Sequence, residues 1–397
     1  MFFDKQSLSF ICLIKSKVDE TFYDGTATER EGITNLLYQY YHTLTGGDLS
    51  KLDSLNLSKL RFPWKFVLKV FFKILIHKFF RILFLIRSKS KSPVVIKSWV
   101  DVNYYSWIKL DEWKESDFSI LVIPFLLNPI RQVKFVRDLM AQNKKIIFYG
   151  YRYSVKKFIK FALNPNLISF FEFESHATSI TSAEITSLGV EKIFVMDDVE
   201  PLSFIQNRGL IDSGIEVNFR AHGIGRYSPY FSATQATFFN ESQQNFYTKF
   251  NNFESTSCVY PSTRSVDGLT SLERVIFISQ RAKSIDSAYS VIEIRVVDKL
   301  KEICKKSSIP FSIKLHPNTD SGVYEGIDKN LQLTTDNSDK TLLFTCFSTA
   351  YYDFEQYGNT WLVQTKELDP TILFGKQERV LNEKNIDKFF DQYKKAS

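Results

Sequence analysis

Short apolar runs alternate with stretches of helical spacing from residue 94 to the end of the chain. This alternation predicts βα units, parallel sheets and right-handed crossovers, and so an α/β fold. The predicted strands are 119–125, 145–150, 191–196, 215–219, 274–280, 311–315, 342–346 and 360–364. The predicted helices are 130–141, 153–163, 285–306, 348–356 and 382–395, and 238–247 is expected to be a strand that leads into a helix.

The alternation is interrupted once, by a stretch rich in Ser, Thr, Asn and Pro over 251–269. A chain of 397 residues agrees with more than one domain. We therefore expect two Rossmann-like domains that face a cleft. The expected boundaries are 1–255 for the first domain, 256–272 for a linker, 273–375 for the second domain and 376–397 for a C-terminal helix that could pack back on the first domain. The apolar run Phe10–Ile14 is expected to be the first core strand.

The composition is that of a folded globular protein, with 44% hydrophobic and 24% charged residues. The four cysteines are scattered and form no C-x-x-C pair, which argues against a disulfide framework or a zinc site. No secretory signal is recognisable at the N-terminus, so a cytoplasmic location is expected.

The net charge of +7 is concentrated in one segment, because 61–91 carries nine basic residues and no acidic ones. Lys65, Lys69, Lys73, His77 and Arg81 recur every four residues and form a polar stripe among Phe, Leu, Ile and Val. No uncharged run approaches the roughly 20 residues that a membrane-spanning helix needs.

We therefore expect residues 58–92 to be an inserted amphipathic helix that lies on an anionic membrane surface. The alternative is a core helix whose lysines reach outward. Nucleic acid is not an expected partner, because a helix in a groove would not expose so many phenylalanines.

Chemically capable side chains follow several predicted strands, where ligands of parallel sheets bind. Lys314, His316, Ser348 and Thr349 supply cationic and hydroxyl donors, and a helix beginning at Ser348 would add N–H groups and its dipole. These residues predict a phosphate site. The alternative is that Ser348 only caps a helix and His316 only enters a loop.

Three segments of the second half together resemble the donor half of bacterial GT-B sialyltransferases and polysialyltransferases. They are Val275–Gln280, Lys314–Pro317 and Phe347–Ala350, and the resemblance spans about 80 residues. It implies a GT-B fold and a CMP-sugar donor. It further implies that His316, Ser348 and Thr349 contact the departing CMP phosphate, and that Gln280, Lys314 and Arg281 lie beside the nucleotide.

The first half carries Ala221-His222-Gly223 where that family has an acidic pair followed by Gly. A His-Gly pair at this position resembles the CDP-glycerol glycerophosphotransferases of teichoic-acid synthesis and a wider group of capsule and lipopolysaccharide transferases. Histidine titrates near neutral pH, so His222 is the candidate general base. The candidates for acceptor contacts on either side of it are Arg220, Arg226 and Tyr227.

Acidic residues provide alternatives to His222. Asp24 and Glu29 are a rival acid near the N-terminus, unless they belong to a solvated turn. Glu172, Glu174 and His176 form another polar cluster, in which the two alternating glutamates would share one strand face with a possible acceptor role. Asp197-Asp198 lacks the Asp-x-Asp spacing of metal-dependent transferases, so no metal is expected.

Together with these resemblances, the sequence implies a membrane-peripheral, metal-independent and inverting glycosyltransferase of bacterial surface polysaccharide synthesis (capsule, lipopolysaccharide, lipooligosaccharide or O-antigen). It would act at the inner face of the cytoplasmic membrane. A CMP-activated sialic or nonulosonic acid, or Kdo, would pass to a glycan or glycolipid hydroxyl without a further cofactor. Two alternatives stay open: transfer of glycerophosphate or polyol phosphate from a CDP-alcohol, and a non-catalytic subunit of a membrane polysaccharide complex.

Overall fold

A computed structural model gives the fold of most of the chain. It describes residues 5–22, 24, 26–45, 49–54, 56–87, 92–98, 118–124, 129–196, 202–221, 223, 228–258, 271–280, 287–315, 324, 327–328, 338–348, 350–354, 357–375 and 377–394.

The described chain begins with helices and then alternates between strands and helices. The helices are α1 Lys5–Thr21, α2 Ala27–Thr45, α3 Leu49–Ser54, α4 Trp64–Arg87, α5 Pro129–Ala141, α6 Val155–Leu163, α7 Leu167–Ser187, α8 Ser203–Asp212, α9 Glu241–Tyr247, α10 Ser287–Lys306, α11 Ala350–Asp353, α12 Thr371–Phe374 and α13 Ile386–Lys394. The strands are β1 Val94–Ser98, β2 Ser119–Val122, β3 Lys145–Phe148, β4 Lys192–Val195, β5 Glu216–Arg220, β6 Gln235–Phe238, β7 Ser255–Cys258, β8 Arg274–Ile278, β9 Phe311–Lys314, β10 Thr341–Thr345, β11 Asn359–Gln364 and β12 Val380–Asn382.

Within the described residues, seven strands form a first parallel sheet in the order β3-β2-β1-β4-β5-β6-β7. In register, Ile96 of β1 pairs with Ile120 of β2 on one side and with Phe194 of β4 on the other. The strand order therefore reverses direction between β1 and β4, as in a Rossmann-like domain. The predicted α/β class and parallel pairing are confirmed.

Five strands of the described chain form a second parallel sheet in the order β12-β11-β10-β8-β9. Ile276 of β8 pairs with Leu343 of β10, and Ile278 pairs with Lys314 of β9. Here the order reverses between β8 and β10. Strands such as β10 are buried along their whole length, as expected when helices cover both faces of a parallel sheet.

Two local predictions are wrong because an apolar run fits a helix as well as a strand. Phe10–Ile14 lies inside α1, whose Ile11, Ile14 and Val18 recur at helical spacing and are buried. Glu172 and Glu174 lie inside α7 and therefore do not share a strand face.

The ends of both sheets also differ from prediction. β7 pairs in parallel with β6, so the first sheet continues through Cys258, beyond the boundary expected at 255. β12 extends the second sheet within the segment expected to be only a C-terminal helix. α13 packs on the second sheet rather than on the first, because Phe390 stacks on Phe344 and Asp387 pairs with Lys299 at 3.0 Å.

The helix α4 covers the edge strand β3 of the first sheet, a common way of protecting a sheet edge. It approaches so closely that a side chain at Gly150 would collide with the His77 carbonyl. The backbone N–H of Tyr151 donates to Nδ1 of His77 at 3.0 Å. Burial, with a smaller contribution from Lys73, lowers the pKa of His77 well below its usual value.

Two ion pairs hold α4 against α7. Lys73 contacts Glu174 at 2.9 Å, and Arg81 contacts Glu184 at 2.5 Å. The polar stripe predicted from the sequence therefore winds around α4, and from Lys73 onward it faces the protein. Among the described helices, none is long and apolar enough to cross a bilayer.

Candidate functional site

The reversal of strand order in the second sheet brings three predicted site residues to one edge. Gln280 follows the carboxyl end of β8, and Ser348 follows that of the neighbouring strand β10. Lys314 ends β9 on the other side of β8, where its carbonyl accepts a hydrogen bond from Ser279 N–H at 3.0 Å. Crevices outside such a reversal are where open α/β sheets bind their ligands.

Ser348 is held by local hydrogen bonds and is only 3% exposed. Its N–H donates to Thr345 Oγ1 at 3.2 Å, and its carbonyl accepts from Tyr351 N–H at 2.9 Å. The helix that follows is the single turn α11, whereas the sequence predicted a helix over 348–356. A single turn carries a small dipole, so side chains would have to provide most of the stabilisation of an anion here.

A buried carboxylate lies directly behind Gln280. Glu293 of α10 accepts hydrogen bonds from Ser279 Oγ at 2.7 Å, from the Gln280 backbone N–H at 3.1 Å and from the Tyr324 hydroxyl. Desolvation by burial raises the pKa of Glu293, although the three donors oppose the shift. Glu293 thereby fixes the backbone of Gln280 just beyond the carboxyl end of β8.

Glu293 was missed in the sequence reasoning, although a signal was present. It occupies a buried position of α10 beside Ile292 and one turn before Val296 and Val297. A charged residue on the apolar face of a helix is retained only when it is paired, so its position already indicated a polar partner inside the second domain.

In the first sheet, β5 is followed by a loop whose described residues are 221, 223 and 228–234, and the His222 motif falls in the same stretch of the sequence. Gln243 of α9 donates from Nε2 to the Gly223 carbonyl at 2.7 Å. Asn35 of α2 forms two hydrogen bonds with the backbone of Tyr230, at 2.8 and 3.0 Å. Asn251 adds bonds to the loop at Pro229 and Phe231.

These amide side chains anchor the loop at several points, and the sequence reasoning did not single them out. Asn35 is 195 residues away from its partner along the chain. Its place on an N-terminal helix gave no sign of a role near the loop, because an isolated Asn within a helix carries no recognisable pattern.

The carboxyl edges of the two sheets face each other across direct contacts. Phe239, just after β6, stacks on Tyr352 of α11 with ring centroids 6.3 Å apart. Asn240 donates to the Leu373 carbonyl at 2.9 Å, and Ser242 donates to the Ile372 carbonyl at 2.6 Å. The residues that follow β6 therefore contact α11 and α12 of the second domain.

Several predicted site residues lie outside the described residues, so their roles stay predictions. They are His222, Arg226, Tyr227, Arg281, His316 and Thr349. Arg220 is described as the last residue of β5, half-buried and next to the His222 motif.

Of the two rival carboxylates near the N-terminus, Glu29 has a local structural role. Glu29 forms a capping box with Thr26 at the start of α2, with a 2.7 Å bond from the Thr26 N–H. Asp24 and Glu29 also line a cavity of about 270 Å³ with Phe22, Ile33, Phe171 and neighbouring residues. This cavity lies between the α1–α2 turn and α7.

The acidic pair of α7 is engaged in ion pairs. Glu174 is 2% exposed and bound by Lys73 and the Tyr153 hydroxyl, so the acceptor role considered for it is wrong. Glu172 pairs with Lys160 at 2.6 Å. In the part of the chain that the structure describes, no group of three or more His, Cys, Asp or Glu could hold a metal ion.

Comparison with known proteins adds no assignment, since no family model matches the chain and no curated protein is significantly similar to it.

Proposed function

We propose that this protein is a GT-B-type, metal-independent and inverting glycosyltransferase that transfers a CMP-activated sugar to a glycan or glycolipid hydroxyl in bacterial surface polysaccharide synthesis. The donor would be a sialic or nonulosonic acid or Kdo. The observation that carries the proposal is the convergence of Gln280, Lys314 and Ser348 at the strand reversal of the second sheet. The facing edge of the first sheet supports it, because an acceptor needs a second wall.

The donor side of the reaction requires cationic and hydrogen-bonding groups around the leaving phosphate. Lys314 provides an ammonium, Ser348 lies across β8 from it, and His316 follows two residues after Lys314. In the proposed step the bond between the anomeric carbon and the phosphate oxygen breaks, and the oxygen keeps the electron pair. Preorganised donors stabilise the negative charge that develops on CMP.

The acceptor side requires a base for the attacking hydroxyl. The acceptor oxygen forms the new bond to the anomeric carbon while its proton passes to the imidazole of His222. Gln243 and Asn35 support this assignment, because they anchor the backbones of Gly223 and Tyr230, which follow His222 in the sequence. Glu29 is the less suitable base because its carboxylate caps α2.

The proposal also covers location. A peripheral position at the inner face of the bacterial cytoplasmic membrane would bring the active site to lipid-linked acceptors. It is supported by the concentration of positive charge in 61–91, without any acidic residue.

The donor site can be tested by thermal unfolding of the full chain with CMP, CDP, UDP and GDP. We expect CMP to raise the melting temperature, since a ligand at 100 times its Kd stabilises the folded state by about 2.7 kcal/mol. Lys314→Met should abolish the shift. Lys305→Met, which removes an exposed charge from α10 in the same domain, should keep it. Stabilisation by UDP or GDP alone, or by none of the four, would contradict the proposal.

A specific observation also favours testing a CDP-alcohol donor, because the His222-Gly223 pair is shared with the glycerophosphotransferases that the sequence resembles. Both substrate classes would leave a cytidine nucleotide bound at the same edge. Release of CMP from CDP-glycerol, with none from a CMP-sugar, would replace sugar transfer by glycerophosphate transfer.

A further inference from the structure

The outward face of α4 is apolar, although the helix is among the most basic parts of the chain. Among the described residues, seven large apolar side chains of α4 are between 42% and 64% exposed. They are Trp64, Leu68, Phe71, Phe72, Leu75, Phe79 and Ile82. At 3.6 residues per turn these positions fall within an arc of about 100° on the helix.

The size of this face exceeds what a soluble surface usually carries. With roughly half of about 200 Å² exposed on each side chain, α4 presents on the order of 700 Å² of apolar surface. The largest patch on a typical monomer is about 300–600 Å². The protein-facing side of the same helix buries Val67, Val70 and Ile74 and also carries the ion pairs of Lys73 and Arg81. The helix is therefore apolar on both sides, unlike an ordinary surface helix.

The helix α6 continues this face. Phe71 of α4 contacts Phe158 of α6, with ring centroids 6.0 Å apart. Val155, Ile159 and Leu163, at successive i, i+4 positions of α6, are 61%, 51% and 81% exposed. Two neighbouring helices thus turn apolar side chains away from the protein.

The charges around the face indicate what covers it. Lys65 and Lys69 lie at one border of the apolar arc of α4 and Lys78 at the other, and all three are exposed. Lys156 is exposed beside the apolar face of α6. Neither helix contains an acidic residue. Apolar side chains between rows of lysines match a bilayer interface with anionic headgroups.

We propose that α4 and α6 form a two-helix surface that inserts its apolar side chains into an anionic lipid bilayer. This inference rests on the peripheral location proposed above and is independent of the reaction. It assigns the lipid contact to the exposed aromatic and aliphatic side chains and the border lysines. Lys73, His77 and Arg81, which the sequence placed in the lipid-facing stripe, hold the helix to the protein instead.

The experiment is co-sedimentation of the full chain with phosphatidylcholine vesicles, with and without phosphatidylglycerol. We expect binding to the anionic vesicles that weakens as salt rises but persists, because salt does not screen apolar insertion. The fluorescence of Trp64 should shift to the blue on binding, and Trp64→Phe should remove that part of the shift.

Variants separate the apolar contribution to vesicle binding from the electrostatic contribution. Phe72→Gln with Phe79→Gln should weaken binding by about tenfold or more at low and at high salt. Lys65→Glu with Lys69→Glu and Lys78→Glu should weaken it mainly at low salt. Val291→Gln is the matched control, because Val291 is 64% exposed on α10 of the other domain, and it should bind as the wild type does.

Three results would overturn the inference. One is wild-type binding by the Phe72 and Phe79 double variant, provided that its melting temperature matches the wild type. Another is failure of the wild type to bind anionic vesicles. The third is a lipid-free dimer that the double variant converts to a monomer, which would make the face an interface between copies. None of these assays depends on nucleotide or turnover, so the proposed reaction can fail or stand separately.

Discussion

The ion pair between Lys73 and Glu174 decides which side of α4 faces the protein. Lys73→Met removes the charge and keeps a stem of similar length, so the loss of packing is small. The side chain of Glu174 is only 3% exposed and, among the described residues, would keep the Tyr153 hydroxyl at 3.1 Å as its partner. The matched control is Lys69→Met, one turn earlier on the same helix, where the lysine is exposed.

The expected loss of stability in Lys73→Met follows from the burial of the ion pair. Removing one partner of a buried ion pair costs about 3–5 kcal/mol, because the other charge stays without compensation. The side chain of Lys73 is 20% exposed, so water relieves part of this cost and the lower end applies. A loss of about 3 kcal/mol lowers the melting temperature of a domain of this size by about 6–12 °C. Lys69→Met should stay within about 0.5 kcal/mol of the wild type.

Urea unfolding followed by circular dichroism measures both variants, and Glu174→Gln, made alone and added to Lys73→Met, completes a double-mutant cycle. The second substitution should restore much of the lost stability, because it removes the stranded charge. If Lys73→Met is as stable as Lys69→Met, the stripe does not face the protein. The outward orientation of the aromatic face would then be wrong as well.

Three further predictions concern the two domains. The raised pKa of Glu293 means that the folded state holds this proton more tightly than the unfolded chain does, so protonated Glu293 stabilises the fold fully below the ordinary glutamate pKa and this contribution is lost as pH rises through the folded pKa. The stability of the wild type relative to Glu293→Gln should therefore fall over that pH range. A stability difference that does not change with pH would contradict the burial of Glu293. Asn35→Ala should cost about 1–3 kcal/mol in urea unfolding, because it leaves the buried backbone groups of Tyr230 unpaired, and an unchanged midpoint would argue against this anchor. Gly150→Ala should destabilise the protein, because the new methyl group would push the His77 carbonyl and with it α4 away from Gly150, and a neutral effect on the melting temperature would mean that the contact is looser than described.

The strands β2 to β5 and β8 to β11 were predictable because local sequence determines them, whereas β1, β7 and β12 lie outside every predicted strand. A strand such as β2 or β10 is buried on both faces, and its continuous apolar run is visible in the sequence. The order of the strands was not predictable, because it depends on crossovers between distant segments. The convergence of Gln280 and Ser348 was expected only because parallel strands share a carboxyl edge.

The orientation of α4 could not be predicted for a related reason. Positions that recur every four residues advance by about 40° around a helix at each step. The stripe from Lys65 to Arg81 therefore passes from the exposed border to the buried side. Which part is buried depends on Glu174 and Glu184, more than 100 residues away in the chain. The sequence shows that this segment is a basic helix, but it does not show which side of the helix packs against the protein.

The most direct test of the proposed reaction is the release of CMP from a CMP-activated sugar in the presence of acceptor glycan, measured for the wild type and for His222→Ala. We expect the wild type to release CMP. We expect His222→Ala to lose turnover by about 10²–10⁴-fold while CMP still raises its melting temperature as in the wild type, because the base acts on the acceptor and not on the donor. No CMP release by the wild type from any CMP-sugar, or undiminished turnover in His222→Ala, would contradict the proposed reaction or its base.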